Sequence, residues 1–478
     1  MPSPPNILLF LADGMQGRPL APDHLCLTPN FDLLAKQGVQ FTRAYTPTPV
    51  CSPARASLMT GLLAHNHGVL QVEHALDADQ SVLRTDNPHW AGRLTDAGYY
   101  TGYFGKWHIE RSIKLEEYGW QVNGAQETQR FREMAGGRVG QETDHLDPAL
   151  SCFRTEREGY KPLLHYGVTD LPVERRTVSV PVDMAEGFLD DAIGREQPWC
   201  CCVSYPMPNE AMVCGRDTFE QYNIDAVDLP ITLHDTFSDR PAIYRRAQEV
   251  WQDLTEEQWR TARACYYARI TELDHQFNRL MDKLETAGQR DSTIVIVTSD
   301  HGKYVGGHGF DAHNFGAFEE IYNIPLIISG PEIPSGVSTA ARVGLHDLCP
   351  TLLDLTGAAS IVNADAKSFF AVLKNPRESE RDYTTGYAEY HGTRYPLMQR
   401  IVWDGPWKFI FNGFDFDELY NLNDDPWEQH NLATDPMQQT RTQAMMRMIW
   451  TRIRETGDQT LLDAHYYSMR FAAVGPDA

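Results

Sequence analysis

The sequence predicts an α/β protein: a doubly wound mixed sheet flanked by helices, with a smaller C-terminal antiparallel sheet plus helix. Three observations carry this prediction. Apolar, β-branched runs of strand length alternate with amphipathic helical segments as far as Leu355, the pattern of strands with helices on both faces. Each short motif that bears chemical groups follows one of those runs, as expected where a site gathers at the carboxyl ends of strands. After Leu355 the pattern changes to short alternating stretches joined by tight turns, which marks an antiparallel sheet. The expected division is a main α/β domain over residues 1–375 and an α+β subdomain over 376–478 that borders the site.

The elements follow in order. Residues 6–12 are an apolar run that ends in Asp13-Gly14, read as a strand and then a loop. A helix begins at Thr28-Pro29, with Thr28 as its cap and Pro29 at its first position. Gly38 closes it and residues 39–41 open a strand. The next helix begins near Pro53, which puts Cys51 at a helix N-terminus, where free N–H groups and the helix dipole favour an anion. Residues 89–97 read as a helix and 99–104 as a strand running into Gly105-Lys106-Trp107-His108. Residues 199–205 form a buried strand. Ile270, Leu273, Phe277, Leu280, Met281 and Leu284 fall at helical spacing before Gly288. The β-branched run 293–298 leads into Ser299-Asp300-His301-Gly302, and 324–328 is a further strand. Residues 356–380 form a polar connector. Three strands then follow at 399–403, 407–411 and 417–422, and a helix at about 438–455 with Ala444, Met448, Ile449 and Ile453 on one face.

Composition excludes several classes of function. The 478 residues carry a net charge of -23, against nucleic acid, which needs a basic footprint. A long polyanion is an unnatural substrate without a local basic patch. No basic residue precedes Arg18, so the start does not read as a signal peptide, and no apolar run reaches membrane-spanning length. A cytoplasmic protein with no membrane partner is expected. The nine cysteines, three of them consecutive at 200–202, do not form a disulfide framework. Adjacent strand residues point to opposite faces, so that triplet reads as strand filler, and a reducing compartment fits. The sequence leaves a homo-oligomer open.

The most informative stretch is Pro49-Val50-Cys51-Ser52-Pro53-Ala54-Arg55-Ala56-Ser57-Leu58-Met59-Thr60-Gly61. Taken alone, Cys51 reads as a buried thiol. With the motifs around it, the segment resembles the signature of the type I sulfatases of the alkaline phosphatase superfamily. In that family the Cys of C-x-P-x-R is oxidised to formylglycine by a dedicated maturation enzyme. A thiol cannot easily release a sulfate it has accepted. An aldehyde hydrate can, because one hydroxyl attacks sulfur and the other, on losing its proton, expels sulfate. By this resemblance Arg55 fixes the formylglycine. Asp13, Asp300 and His301, with the side chain at Cys51, bind one divalent metal that polarises the sulfuryl oxygen. Calcium is the expected ion, and the nitrogen of His301 leaves manganese, magnesium or zinc open. Gly105-Lys106-Trp107-His108 resembles the family's G-K-W-H. It implies that Lys106 binds sulfate and that His108 holds the formylglycine hydroxyl or acts as its base.

The chain also departs from the family pattern. Ala54 stands where Ser is usual. Gly14 stands where many members have a second Asp or a Gln, so one ligand is missing unless Gln16 or water replaces it. Asn209 takes the position of a His that assists the leaving group; an amide cannot be a general acid, so Asn209 is expected to contact the substrate instead. No Lys lies between Phe310 and Glu320, where the family carries one. His313 is the best replacement, and the candidate general acid, with Asn314 the alternative. Both changes point to a different leaving group or to a substrate that carries its own charge. The run Phe414–Pro426 resembles a C-terminal stretch of bacterial sulfatases whose sheet borders the pocket. Residues 389–394, with His391 and Arg394, are therefore either substrate contacts or plain surface loop. The resemblance implies hydrolysis of a small-molecule or saccharide sulfate ester. Two alternatives stand beside it. One is a phosphonate monoester or phosphodiester hydrolase of the same superfamily. The other is a non-catalytic binding protein, opposed by intact Cys51, Arg55, Lys106 and His108.

Overall fold

Asn6–Asp13 is the central strand, and its sequence explains why. Ile7, Leu9 and Leu11 pack into the core on one side of the sheet and Leu8, Phe10 and Ala12 into the core on the other, as in sheets buried on both faces. The computed structural model describes residues 4–478 except 76, 78–79, 85–87, 156, 210, 363–364, 394, 396, 459–460 and 463–466. Eight strands form the main sheet in the order Val337–Gly344, Val39–Tyr45, Asn323–Ser329, Thr293–Ser299, Asn6–Asp13, Trp199–Pro208, Tyr100–Gly105, Val122–Ala125. Asn323–Ser329 runs antiparallel to both of its neighbours, and the other pairs are parallel. Cys200 and Cys202 face one core and Cys201 the other, as strand filler should.

One face is covered by Val180–Ala192 and the 31-residue helix Glu256–Thr286. The other is covered by Cys51–Thr60, Trp90–Asp96 and Leu348–Thr356. The long helix begins well before the apolar face visible in sequence, because Thr255 and Gln258 form a capping box ahead of it. The cap expected from Thr28 is supplied differently. Thr28 makes no side-chain cap bond; instead the N–H groups of Asn30 and Phe31 donate to the Asp274 carboxylate, at 2.7 Å for Phe31.

The C-terminal antiparallel sheet has four strands, Thr385–Tyr390, Gln399–Asp404, Trp407–Asn412 and Glu418–Asn421. The first of them was not foreseen. The helix Gln439–Thr456 lies on this sheet through Met445, Met446, Ile449 and Ile453. Ala444 is exposed, so the buried stripe is rotated from the expected one. The expected connector holds two short helices, Phe370–Lys374 and Pro376–Ser379. A small sheet of Cys152–Arg154, Leu163–Thr169 and Met212–Gly215 was not foreseen. Among the described residues no helix is long and apolar enough to cross a membrane.

Candidate active site

Most of the predicted residues meet at the carboxyl edge of the main sheet. Asp13 ends the central strand, Asp300 and His301 follow Thr293–Ser299, Lys106 follows Tyr100–Gly105, and Asn209 follows Trp199–Pro208. Cys51 is the first residue of a wholly buried helix. Gly105 lets two strands touch here. Its φ is +103°, and a Cβ would lie 1.9 Å from the Ser204 carbonyl oxygen, to which Lys106 N donates at 2.9 Å.

Cys51 Sγ lies 3.1 Å from His301 Nε2, 3.6 Å from His313 Nε2 and 3.9 Å from Asp13 Oδ1. The rings of His301 and His313 stack 4.2 Å apart at 14°. Arg55, fully buried, donates from Nε to Asp300 Oδ2 at 2.7 Å. From Nη1 it donates to Lys106 O at 2.9 Å and Ser204 Oγ at 2.7 Å, and from Nη2 to Asp13 Oδ2 and Tyr205 O, both at 3.2 Å. These bonds use all five guanidinium donors. Arg55 therefore anchors the two carboxylates and the strand ends around Cys51. Lys106 Nζ donates to Asp13 Oδ2, and Asn209 Nδ2 to Asp13 Oδ1 at 2.7 Å.

The electrostatics follow from burial and these pairs. Burial opposes ionisation of Asp13, but Lys106, His301 and Arg55 hold it well below the usual carboxylate range. Asp300 is pushed up by burial and by the charge of Asp13. Burial works against a charge on His301, yet Asp300 beside it lifts that imidazole to about 10. His108 is pushed down to about 2 by burial and then by Lys106, so its imidazole is neutral.

The residues fit a divalent cation. Donor atoms of Asp13, Cys51, Asp300 and His301 all lie within 4.8 Å of one another. His301 Nδ1 faces the Gly302 carbonyl at 2.7 Å and keeps its proton there, so Nε2, turned toward Cys51, is the nitrogen that would give up its proton to ligate a cation. Two carboxylates that draw a proton onto His301 form a site that favours positive charge.

Residues 5–135 and 230–358 match the profile of the family described as Sulfatase, more than half of the chain. This chain belongs to the sulfatase family. Residues 306–456 also match the C-terminal region of N-sulphoglucosamine sulphohydrolase. The sulfatase is 29% identical over 455 residues to a choline-sulfatase of Rhizobium meliloti (strain 1021), covering 90% of this chain and 83% of that one. In fold it resembles a phosphonate monoester hydrolase from Silicibacter pomeroyi, at TM-score 0.77 and 24% identity, over 94% of this chain and 96% of the other. It also resembles a protein solved with its substrate D-glucosamine-2-N,6-O-disulfate, at TM-score 0.73 and 20% identity, over 95% of this chain and 99% of the other. The protein is a sulfuric ester hydrolase, acting on sulfate esters.

Not every predicted residue joins the cluster. His108 Nε2 lies 3.0 Å from His74 Nδ1 and 3.8 Å from Glu73 Oε1, at the rim of the sulfatase site. His391 Nε2 pairs with Glu389 Oε1 at 3.1 Å, and Glu389 belongs to the C-terminal sheet; no contact takes His391 to Cys51. Arg394 lies outside the described residues. Gln16 turns its amide to the Lys303 carbonyl rather than to the carboxylates, so it does not replace the ligand absent at Gly14. Sequence reading missed Glu73 and His74, which lie in no motif. Their one sequence clue is nearness to the Cys51 helix, realised as a bond from Glu73 N to Ser52 Oγ at 3.3 Å. It also missed Lys303, the residue after S-D-H-G, which is buried and donates to the Asp311 carbonyl at 3.1 Å.

Proposed function

We propose that the sulfatase hydrolyses a small sulfate monoester at Cys51, matured to formylglycine, beside one divalent metal. The observation that carries this reading is the position of Cys51 Sγ between His301, His313 and Asp13, at 3.1, 3.6 and 3.9 Å. When present, the metal polarises a sulfuryl oxygen and the aldehyde hydrate supplies an oxygen nucleophile that sheds sulfate. Asp13, Asp300 and His301 hold the ion, with calcium favoured because most donors are oxygens. Arg55 fixes both carboxylates in register. Lys106, paired with Asp13 and nearly buried, presents an ammonium to a sulfate oxygen. His108, whose imidazole is neutral, and His313, 3.6 Å from Cys51 Sγ, exchange protons at the nucleophile. His391, paired with Glu389, serves as a contact for a larger alcohol part, with Arg394 as a second such contact from the same segment of sequence. Residues 1–375 form the catalytic domain and 376–478 the subdomain at its border, in a cytoplasmic protein that meets its maturation enzyme there.

A second reading, phosphonate monoester or phosphodiester hydrolysis, is favoured by the likeness to the Silicibacter enzyme at TM-score 0.77. Parallel assays on nitrophenyl sulfate, phenylphosphonate and a nitrophenyl phosphodiester separate the two. The nucleophile itself is tested by the mass of the tryptic peptide holding Cys51, after co-expression with a maturation enzyme. Loss of the thiol mass is expected, and Cys51→Ala should abolish turnover. Near-wild-type turnover in that variant would sink the mechanism.

A further inference from the structure

Two departures from the family pattern, Gly14 and Asn209, lie against each other. Gly14 follows Asp13 with φ +74°, and its N–H donates to Asp300 Oδ1 at 3.2 Å. A Cβ there would lie 3.2 Å from Asn209 Cβ, 3.4 Å from its Cγ and 3.5 Å from its Cα. Asn209 would have to give by a few tenths of an ångström to admit a side chain at residue 14. Its backbone N–H donates to the Asp13 carbonyl at 3.0 Å, and its Nδ2 donates to Asp13 Oδ1 at 2.7 Å. Its Oδ1 is buried with no hydrogen-bond partner, in a residue only 9% exposed. A buried carbonyl-type oxygen left without a partner is costly. The same amide holds Asp13 through Nδ2, and the other side chains around Asp13 are Arg55, Lys106, His301 and Cys51.

We infer that Asn209 is a metal ligand through Oδ1, occupying the coordination place that a side chain at residue 14 would otherwise take; this rests on the metal reading proposed above. The chemistry suits a hard cation, because a carboxamide oxygen is a good ligand for calcium or magnesium and adds no charge to a site that already holds two carboxylates. The ligand absent at Gly14, at the end of one strand, would thus be supplied by Asn209 at the end of its neighbour. On this reading the family's leaving-group position has been given to metal binding, and the leaving group relies on other residues.

The test uses the full-length protein stripped of metal with EDTA, with Tb³⁺ and Ca²⁺ as probes. Terbium luminescence lifetimes in H₂O and D₂O count the waters bound to the ion, and calorimetry gives the Ca²⁺ affinity. Asn209→Ala should add about one bound water and weaken Ca²⁺ by about tenfold or more, the scale seen for metal-site substitutions. Asn209→Asp, nearly the same shape, should keep the wild-type water count and hold or tighten Ca²⁺. An unchanged water count in Asn209→Ala would overturn the assignment, even with weakened affinity, because Asn209 would then only orient Asp13. Asp300→Ala marks the underlying site. If wild type and Asp300→Ala bind both ions equally, the metal reading fails and takes the ligand assignment with it. If Asp300→Ala loses the ions while Asn209→Ala matches wild type, only the assignment fails.

Discussion

At the scale of single residues, the placement of His313 changes what its removal should do. The sequence offered it as a general acid for the leaving group. The structure sets its Nε2 3.6 Å from Cys51 Sγ, with its ring stacked on His301 at 4.2 Å, on the side of the nucleophile. A proton acceptor there serves both substrates with good leaving groups and those with poor ones. His313→Ala should therefore lower kcat by about 10²–10⁴-fold, the range of general acid–base catalysis, on nitrophenyl sulfate and on an alkyl sulfate alike. A loss confined to the alkyl ester would return His313 to the leaving-group side. The positions of Asp13, Cys51, Lys106, Asp300 and His301 were legible because each lies in a short contiguous motif, at a strand end or, for Cys51, at a helix start. The contacts of Glu73 and His74 with His108 were not, since they arise only when the loop after the Cys51 helix folds back over it.

At the scale of elements, legibility follows burial. Central strands of the main sheet such as Asn6–Asp13 and Thr293–Ser299 are buried along their whole length and were readable, whereas the edge strands Val337–Gly344 and Val122–Ala125 mix polar residues and glycine with apolar ones and were not read. Thr385–Tyr390 is an edge strand of the C-terminal sheet with an exposed Thr385 and buried Glu389, and its mixed polarity hid it. The stripe of Gln439–Thr456 was misplaced because Met445, Met446, Met448 and Ile449 crowd more than one face, and only the sheet beneath decides which face is covered. The cap of Pro29–Lys36 is a tertiary choice of the same kind. Asp274, in the middle of Glu256–Thr286, accepts from Asn30 N, Phe31 N and Asn30 Nδ2. Burial raises its carboxyl to about 6. Asp274→Ala removes a cap and leaves buried donors unpaired, so it should destabilise by about 1–2 kcal/mol, read as a lower urea midpoint at pH 7.5. Thr28→Ala should shift that midpoint much less, since Thr28 makes no cap bond. Equal shifts would show that Thr28 does the capping after all.

At the scale of the molecule, the two sheets are tied by one buried charge cluster beside the active-site helix. Glu389 of the C-terminal sheet accepts from His65 N at 3.0 Å, lies 2.9 Å from His65 Nδ1, and faces His391 Nε2 at 3.1 Å. Asn66 adds bonds to Asp365 and to the Thr456 carbonyl at the end of the C-terminal helix, the latter at 2.8 Å. The motif His65-Asn66 thus joins the segment after Cys51–Thr60 to the C-terminal sheet. Burial alone would lower the His65 imidazole, but the charge of Glu389 and its hydrogen bond raise it to about 9. The unfolded value is about 6.5. A group raised on folding binds its proton more tightly in the native state, so it adds stability that is whole below the unfolded value and is lost as pH rises through the folded one. The window here runs from about 6.5 to about 9, and the full difference amounts to roughly 3 kcal/mol at most. Wild-type stability measured by urea unfolding should therefore fall between pH 6 and pH 9.5 more steeply than that of His65→Gln, which keeps a donor toward Glu389 but cannot titrate. The two proteins should differ most at pH 6 and converge by pH 9.5. Parallel pH slopes in both would show that the junction holds through its neutral hydrogen bonds and that the His65 charge contributes nothing to joining the two sheets.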